Sequence, residues 1–198
     1  MKSKIKLILA SASPRRRELL AQLGCKFSVE SANIDETRHD SEPANLYVQR
    51  LAEEKAAYVL SQHKANDIAV LGADTIVRKD DTVFGKPENK DDARRIWQLL
   101  SNSSHQVTTA VCLQYPENAE FKKATTAVTT TVEFGSISDQ QMERYWGSGE
   151  PQDKAGAYGI QGLASAWVKL IHGSYSSVVG LPLRETNELL RKINHHWL

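Results

Sequence analysis

The order of strand-like and helix-like segments constrains the fold of this chain more than any other feature of its sequence. Apolar runs and alternating patterns predict strands, and apolar residues repeated at three- and four-residue spacings predict helices. The predicted elements are a strand over 4–10, a helix over 14–23, a strand over 27–31, a helix over 43–62, a strand over 68–73, a hairpin over 75–84, a helix over 89–100, long strands over 105–115 and 124–134, a helix over 138–146, a strand over 167–171 and a helix over 182–194. This alternation indicates an α/β fold in which helices flank a mixed, twisted sheet.

Length and composition favour one domain. A chain of 198 residues can bury roughly 70% of its unfolded surface, so it needs no disulfide or metal to stabilise a core. The sequence has no repeat, low-complexity tract or linker, and we expect a single domain over 1–198. Cys25 and Cys112 have no CxxC spacing and are expected to pack as small hydrophobic residues.

The charge balance excludes some classes of partner. With 25 Lys and Arg against 24 Asp and Glu, the formal net charge is +1, which is too small for a protein that binds nucleic acid along its phosphate backbone. The N-terminal apolar run covers only 7–10, whereas a signal peptide needs roughly 7–15 apolar residues and a membrane span about 18. We therefore expect a cytoplasmic protein without nucleic-acid or membrane partners.

The segment Ser11-Ala-Ser13-Pro-Arg-Arg-Arg17 lies between a predicted strand and a predicted helix. Arginines at a helix N-terminus face its partial positive charge, an unfavourable arrangement that a bound anion would offset. The serine hydroxyls, the free amides and a bidentate arginine could then hold a polyphosphate. The alternative is that Ser13 caps the helix and the arginines are solvated, and the segment alone does not decide between the two.

Two charged residues lie at positions where the apolar patterns predict core residues. Lys55 falls at the centre of the apolar stripe of the helix over 43–62, so its ammonium either reaches back to solvent or points into a polar cavity. Asp74 directly follows the buried strand over 68–73. Reacting groups of α/β folds are commonly found at such strand ends, although a turn residue is the alternative.

Further along the chain, the stretch 153–162 carries glycines at 156, 159 and 162, which would let a ligand approach the backbone closely. Its spacing differs from the dinucleotide-binding GxGxxG, and Gly85-Lys86-Pro87 lacks the rest of a P-loop. The sequence contains no HExxH pair and no GxSxG elbow, so nucleophilic catalysis through histidine is not expected.

Six segments together resemble the Maf family: Ser11-Ala-Ser-Pro-Arg-Arg16, Ala52-Glu-Glu-Lys55, Gly72-Ala-Asp-Thr75, Gly85-Lys-Pro87, Asp153-Lys-Ala-Gly-Ala-Tyr-Gly-Ile-Gln-Gly162 and Val179-Gly-Leu-Pro-Leu183. The resemblance runs from about residue 7 to 190. It implies a Maf/Ham1-like fold, similar to inosine triphosphate pyrophosphatase, with two lobes and a central cleft. It also implies hydrolysis of a nucleoside triphosphate to the monophosphate and pyrophosphate.

The resemblance assigns roles to residues at matching positions. Asp74 corresponds to the catalytic acid-base residue, and Glu36 to a ligand of Mg²⁺ or Mn²⁺, although Asp35 lies beside it. The residues expected to bind the substrate are Ser11, Ser13, Arg15, Arg16, Lys55, Thr75, Lys86 and Gln161. The trio at 15, 75 and 161 resembles the branch that acts on dTTP and UTP, whereas the branch that acts on 7-methyl-GTP has Trp and Glu residues there.

Two other functions stay open at this point. The family's historical label, septum formation inhibitor, points to a non-enzymatic regulator of cell division, and the pyrophosphatase could act on a modified or purine nucleotide. A homodimer could form through the strands over 105–134 or the apolar segment 176–183.

Overall fold

A computed structural model describes residues 5–65, 67–118 and 120–194. The strands are β1 (Lys6–Ala10), β2 (Phe27–Glu30), β3 (Ile68–Lys79), β4 (Thr82–Phe84), β5 (Ser104–Glu117), β6 (Glu120–Phe134) and β7 (Val168–His172). The α-helices are α1 (Pro14–Gln22), α2 (Ala44–Ser61), α3 (Lys90–Leu100), α4 (Asp139–Gly147), α5 (Tyr175–Val179) and α6 (Leu183–Leu190). Lys4, where the first strand is predicted to begin, lies outside the described residues.

The strands form one mixed sheet with the order β2-β1-β3-β5-β6-β7, and β4 pairs with β3. β1 runs parallel to both neighbours: Ala10 is opposite Glu30 on β2 and opposite Gly72 on β3. β4 pairs antiparallel with β3, and β7 pairs antiparallel with β6. The predicted α/β class with a mixed sheet flanked by helices is confirmed.

The predicted break at Asp74 is wrong. Instead of a strand over 68–73 and a separate hairpin, β3 is a single strand of 12 residues that passes through Asp74. The β-branched residues that follow continue the strand, and Val77 pairs with Phe84 of β4. The turn of this hairpin lies where the sequence predicts it, at Asp80, whose φ is +51°.

Side chains that cap the helices fix where they begin. Ser13 caps α1, Asn89 caps α3 through a 3.0 Å bond from the Asp92 amide, and Ser138 forms the predicted capping box with Gln141. The C-terminal helix is shorter than predicted, because α6 ends at Leu190 and a 3₁₀ turn follows over Arg191–Ile193. α5 was not predicted, since its serines favour a loop.

The chain divides into two compact units. The first comprises the residues up to Asp74, Thr109–Val128 and the residues from Gly180 onward. In this unit α2 packs closely on β3 at Gly72, where a Cβ atom would collide with the Ala52 carbonyl oxygen and lie 2.8 Å from the Ala56 nitrogen. Glycine at 72 therefore places this face of α2, which includes Lys55, directly against β3.

The second unit comprises Thr75–Thr108 and Thr129–Val179. Its core is aromatic: the Tyr145 ring centroid lies 5.4 Å from that of Trp97 and 4.8 Å from that of Trp167. The Trp97 indole donates a 2.7 Å hydrogen bond to the Ala157 carbonyl. This bond fastens α3 to the glycine-rich stretch.

Candidate active site

Three candidate site residues lie near the carboxyl ends of the parallel-paired parts of β1, β2 and β3 in the first unit. Ser11 comes directly after β1, Glu36 lies in the segment after β2, and Asp74 lies two residues beyond Gly72, the last residue of β3 paired with β1. The carboxyl ends of parallel strands meet at one edge of a sheet, where α/β proteins commonly bind ligands. The sheet topology accounts for the meeting of segments that are far apart in sequence.

A buried ion pair forms the centre of this arrangement. Lys55 Nζ donates to Asp74 Oδ1 at 2.6 Å and lies 2.8 Å from Glu36 Oε1. The Lys55 and Asp74 side chains are about 10% and 9% exposed, whereas that of Glu36 is 50% exposed. One ammonium group therefore joins two carboxylates, one of them open to solvent.

The position of Lys55 decides between the two readings of its helical wheel. The neighbouring stripe of α2 is buried, including Leu51, Ala52 and Val59, as the wheel predicts. The ammonium does not reach solvent but ends on Asp74. The alternative in which Lys55 reaches back to solvent is therefore wrong, because its ammonium pairs with the buried Asp74 carboxylate.

Burial is the largest influence on Asp74, and it raises the pKa of this carboxyl. The positive charges of Lys55 and Arg16 oppose that shift and the Glu36 charge adds to it, so the pKa stays above its ordinary value. A carboxylate with a raised pKa is a stronger base than a solvated one. Asp74 therefore has the electrostatic environment of a general base.

At the start of α1, the structure confirms that Ser13 caps the helix. The Ser13 hydroxyl caps the helix by accepting from the Arg16 amide at 3.4 Å, and the Ser11 hydroxyl accepts from the Ser13 amide at 3.2 Å. Arg16 is not simply solvated, because its Nε donates to the Gly180 carbonyl at 2.9 Å. Arg15 is half-buried and Arg17 exposed. The segment thus caps a helix and also fixes the direction of one arginine.

The segment that carries Glu36 is fastened to α2 by residues that the sequence analysis missed. The Tyr47 hydroxyl donates to the Glu36 carbonyl at 2.7 Å. Arg50 donates to the Thr37 carbonyl at 3.0 Å and to both carboxylate oxygens of Glu42. No sequence pattern links these positions, since the contacts depend on the path of the loop.

Three predicted site residues belong to the second unit. Thr75 follows Asp74 on β3, Lys86 is exposed after β4, and Gln161 is exposed in the glycine-rich stretch. The two glycine-containing motifs are joined, because the Gly156 amide donates to the Gly85 carbonyl at 3.0 Å.

The glycines of this stretch lie against protein atoms rather than simply leaving space for a ligand. Gly156 has a φ of +71°, and a Cβ atom there would lie 2.9 Å from the Val77 side chain. A Cβ atom at Gly159 would lie 2.9 Å from Lys154 Cε and 3.0 Å from Glu150 Oε1, and one at Gly162 would collide with the Glu150 carboxylate. All three glycines are therefore closely packed within the unit, and at Gly156 the positive φ is a second reason for glycine.

A family model described as Maf-like protein matches residues 6–193. The chain belongs to the Maf family. This assignment confirms the family resemblance, because the match includes all six segments that carry it.

Proteins named dTTP/UTP pyrophosphatase are similar to this Maf protein along almost its whole length. The one from Hahella chejuensis is 52% identical over 188 residues, covering 94% of this chain and 92% of the relative. The one from Pseudoalteromonas atlantica is 50% identical, covering 95% and 97%, and the one from Vibrio cholerae is 49% identical, covering 94% and 97%. Among solved structures, the Staphylococcus aureus Ham1 protein aligns over 64% of this chain and 71% of its own, with 13% identity and a TM-score of 0.38.

Two further observations concern the described part of this Maf protein. No helix there is both long and apolar enough to cross a membrane. No group of three or more His, Cys, Asp or Glu side chains is placed there to hold a metal ion. The acidic groups at the site are the carboxylate pair Glu36 and Asp74.

Proposed function

We propose that this protein hydrolyses dTTP and UTP to the nucleoside monophosphate and pyrophosphate. The observation that carries the chemistry is the buried Asp74 carboxylate on β3, held 2.6 Å from the Lys55 ammonium. The choice of nucleotide is supported by relatives of 49% to 52% identity that are named dTTP/UTP pyrophosphatase.

In the proposed reaction Asp74 is the general base. Lys55 holds Oδ1, and Oδ2 accepts a proton from the attacking water. The water oxygen bonds to the α-phosphorus, the bond from the α-phosphorus to the α–β bridging oxygen breaks, and pyrophosphate leaves with that oxygen. A positioned general base of this kind typically raises the reaction rate by about 10²- to 10⁴-fold.

The basic residues neutralise the phosphates. Phosphoryl transfer depends mainly on positioning and on compensating negative charge. Arg16 is suited to bidentate phosphate contact, Ser11 and Ser13 add hydroxyls at the start of α1, and Lys55 and Lys86 contribute ammonium groups. Lys55 would therefore interact both with the Asp74 carboxylate and with a substrate phosphate.

The carboxylate pair fits a small divalent cation. Mg²⁺ is usually held by one or two carboxylates together with substrate phosphates, and Glu36 and Asp74 supply two carboxylates that meet on one ammonium. When bound, Mg²⁺ or Mn²⁺ would neutralise charge on the phosphates. Glu36 is its proposed protein ligand.

Base selection is assigned to Arg15, Thr75 and Gln161. A glutamine amide can donate to and accept from a pyrimidine edge at once, and Thr75 adds a hydroxyl. Neither supplies the acid that a cationic methylated guanine would favour. This pattern supports a pyrimidine triphosphate as substrate.

The domain organisation belongs to the same proposal. The family match over 6–193 includes both compact units, which supports one Maf-type domain over 1–198. The cytoplasmic location and the homodimer stay predictions.

A panel of nucleoside triphosphates tests the proposed function. Pyrophosphate release is measured for each of the common ribo- and deoxyribonucleotides and for 7-methyl-GTP, with and without Mg²⁺ or Mn²⁺. We expect the highest kcat/KM for dTTP and UTP, and dependence on the cation. A clear preference for a purine triphosphate would overturn the choice of substrate, and no release from any nucleotide would overturn the activity.

A further inference from the structure

Gln161 lies in a tight turn whose shape directs it outward. The Gly162 amide donates to the Gly159 carbonyl at 3.1 Å and closes the turn. Of the two central residues, Ile160 is buried and Gln161 is exposed. The Ile160 side chain therefore anchors the turn, while the Gln161 amide is presented to solvent.

Two polar side chains hold the backbone on both sides of this turn. The Gly159 amide donates to the Tyr145 hydroxyl at 2.9 Å, and the Leu163 amide donates to Glu150 Oε2 at 3.0 Å. Tyr145 and Glu150 are themselves joined, because the Tyr145 hydroxyl donates to Glu150 Oε1 at 2.8 Å. The three bonds form a closed frame around the turn.

The frame is fixed to the core of the second unit. Tyr145 is 3% exposed and packs against the rings of both Trp97 and Trp167. Burial raises the pKa of its hydroxyl, so the group stays neutral and can donate to one partner while it accepts from another. Glu150 follows Gly149, whose φ of +73° turns the chain at the end of α4.

The glycines of the turn accommodate this frame. A Cβ atom at Gly162 would collide with the Glu150 carboxylate, and one at Gly159 would lie 3.0 Å from Glu150 Oε1. The φ of Gly162 is −108°, which other residues also adopt. An alanine at 162 would therefore force the end of the Glu150 side chain to move, and the φ of Gly162 gives no separate reason for glycine.

We propose that Tyr145 and Glu150 are positioning residues that set nucleotide selectivity by holding the backbone on both sides of Gln161. The inference rests on the proposed function, since it assumes that Gln161 reads the base. A displacement of about 1 Å can cost roughly 100-fold in rate where a contact must be well placed. Loosening the frame lowers the discrimination between bases without removing the group that contacts them.

The test measures kcat/KM for dTTP and dCTP in wild type, Tyr145→Phe and Gly162→Ala. Tyr145→Phe removes one hydroxyl and keeps the ring, whereas Gly162→Ala displaces the Glu150 carboxylate, so the frame is opened by two independent routes. We expect the dTTP/dCTP ratio to fall about tenfold to 100-fold in both variants, mainly through a higher KM for dTTP. Glu150→Gln keeps the size and one acceptor oxygen and is expected to lose less selectivity.

Matched controls separate positioning from general loosening of the fold. Tyr175→Phe alters an exposed tyrosine, and Gly147→Ala adds a methyl group where no atom lies within 4 Å; both should keep the wild-type ratio. In a Gln161→Ala background, Tyr145→Phe should change the ratio no further, because the side chain it positions is gone.

The outcomes distinguish the two proposals. An active wild type whose ratio is unchanged in both frame variants, or falls in them equally with and without Gln161, would overturn the positioning role alone. A wild type that releases pyrophosphate from no nucleotide would overturn the proposed function and this inference with it.

Discussion

Replacing Lys55 by methionine should produce a loss of stability that grows with pH. The substitution keeps the length of the side chain but leaves the Asp74 carboxylate without the ammonium that now lies 2.6 Å away. Both side chains are nearly buried, and removing one member of a buried pair typically costs about 3–5 kcal/mol. That is a large part of the roughly 5–15 kcal/mol that stabilises a typical domain.

The pH dependence follows from the direction of the Asp74 shift. Its pKa in the folded chain is already raised by burial, and loss of Lys55 raises it further. Between the unfolded and folded pKa values the folded chain binds more protons, so stability falls as pH rises through that interval. The acidic limb of the rate profile should move to higher pH for the same reason.

Urea unfolding of wild type and Lys55→Met at pH 5.5 and 8.5 measures this effect. Lys123→Met is the matched control, because the Lys123–Glu53 pair is partly exposed, with Lys123 52% exposed, and such pairs contribute about 1 kcal/mol or less. Adding Asp74→Asn to Lys55→Met should restore much of the stability, since it removes the uncompensated charge. A loss below about 1 kcal/mol, equal at both pH values and not restored by the second change, would refute the reasoning.

Three further predictions concern a packed glycine, a helix cap and a buried histidine. Gly72→Ala should destabilise the chain by about 1–3 kcal/mol or more and lower activity, because the new methyl group meets the α2 backbone; Gly147→Ala should be neutral in the same thermal unfolding assay. Ser13→Ala should cost about 1 kcal/mol, measured by urea unfolding, because the α1 cap is lost; no measurable change would argue against that cap. Burial lowers the pKa of His105 to about 4 from 6.5, so wild type should lose roughly 3 kcal/mol of stability as pH falls from 6.5 to 4. His105→Gln should flatten that curve, and an unchanged curve would contradict the assignment.

Periodicity was sufficient to predict most of the fold and to single out Lys55 and Asp74 as charged residues in apolar surroundings. The apolar stripe of α2 marks Lys55 as exceptional, and the buried strand marks Asp74, because an ionised group in an apolar pattern needs a partner. Their contact was not predictable from either pattern, since it depends on how closely α2 approaches β3 at Gly72.

Contacts made through loops were beyond the sequence analysis for a different reason. The bond from Tyr47 to the Glu36 carbonyl and the frame made by Tyr145 and Glu150 join side chains to backbone groups. Such bonds leave no periodic signal and can be formed by many residue types. The glycines at 159 and 162 were visible in the sequence, but the side chains that pack against them, Lys154 and Glu150, were revealed only by the structure.

The central claim is that Asp74 is the base that activates water for cleavage between the α and β phosphates. Single-turnover hydrolysis of dTTP by Asp74→Asn, with dTTP binding measured in parallel, tests it most directly. The expected result is a rate lower by about 10²- to 10⁴-fold, with the dissociation constant for dTTP changed by much less. Hydrolysis by Asp74→Asn at the wild-type rate would contradict the claim.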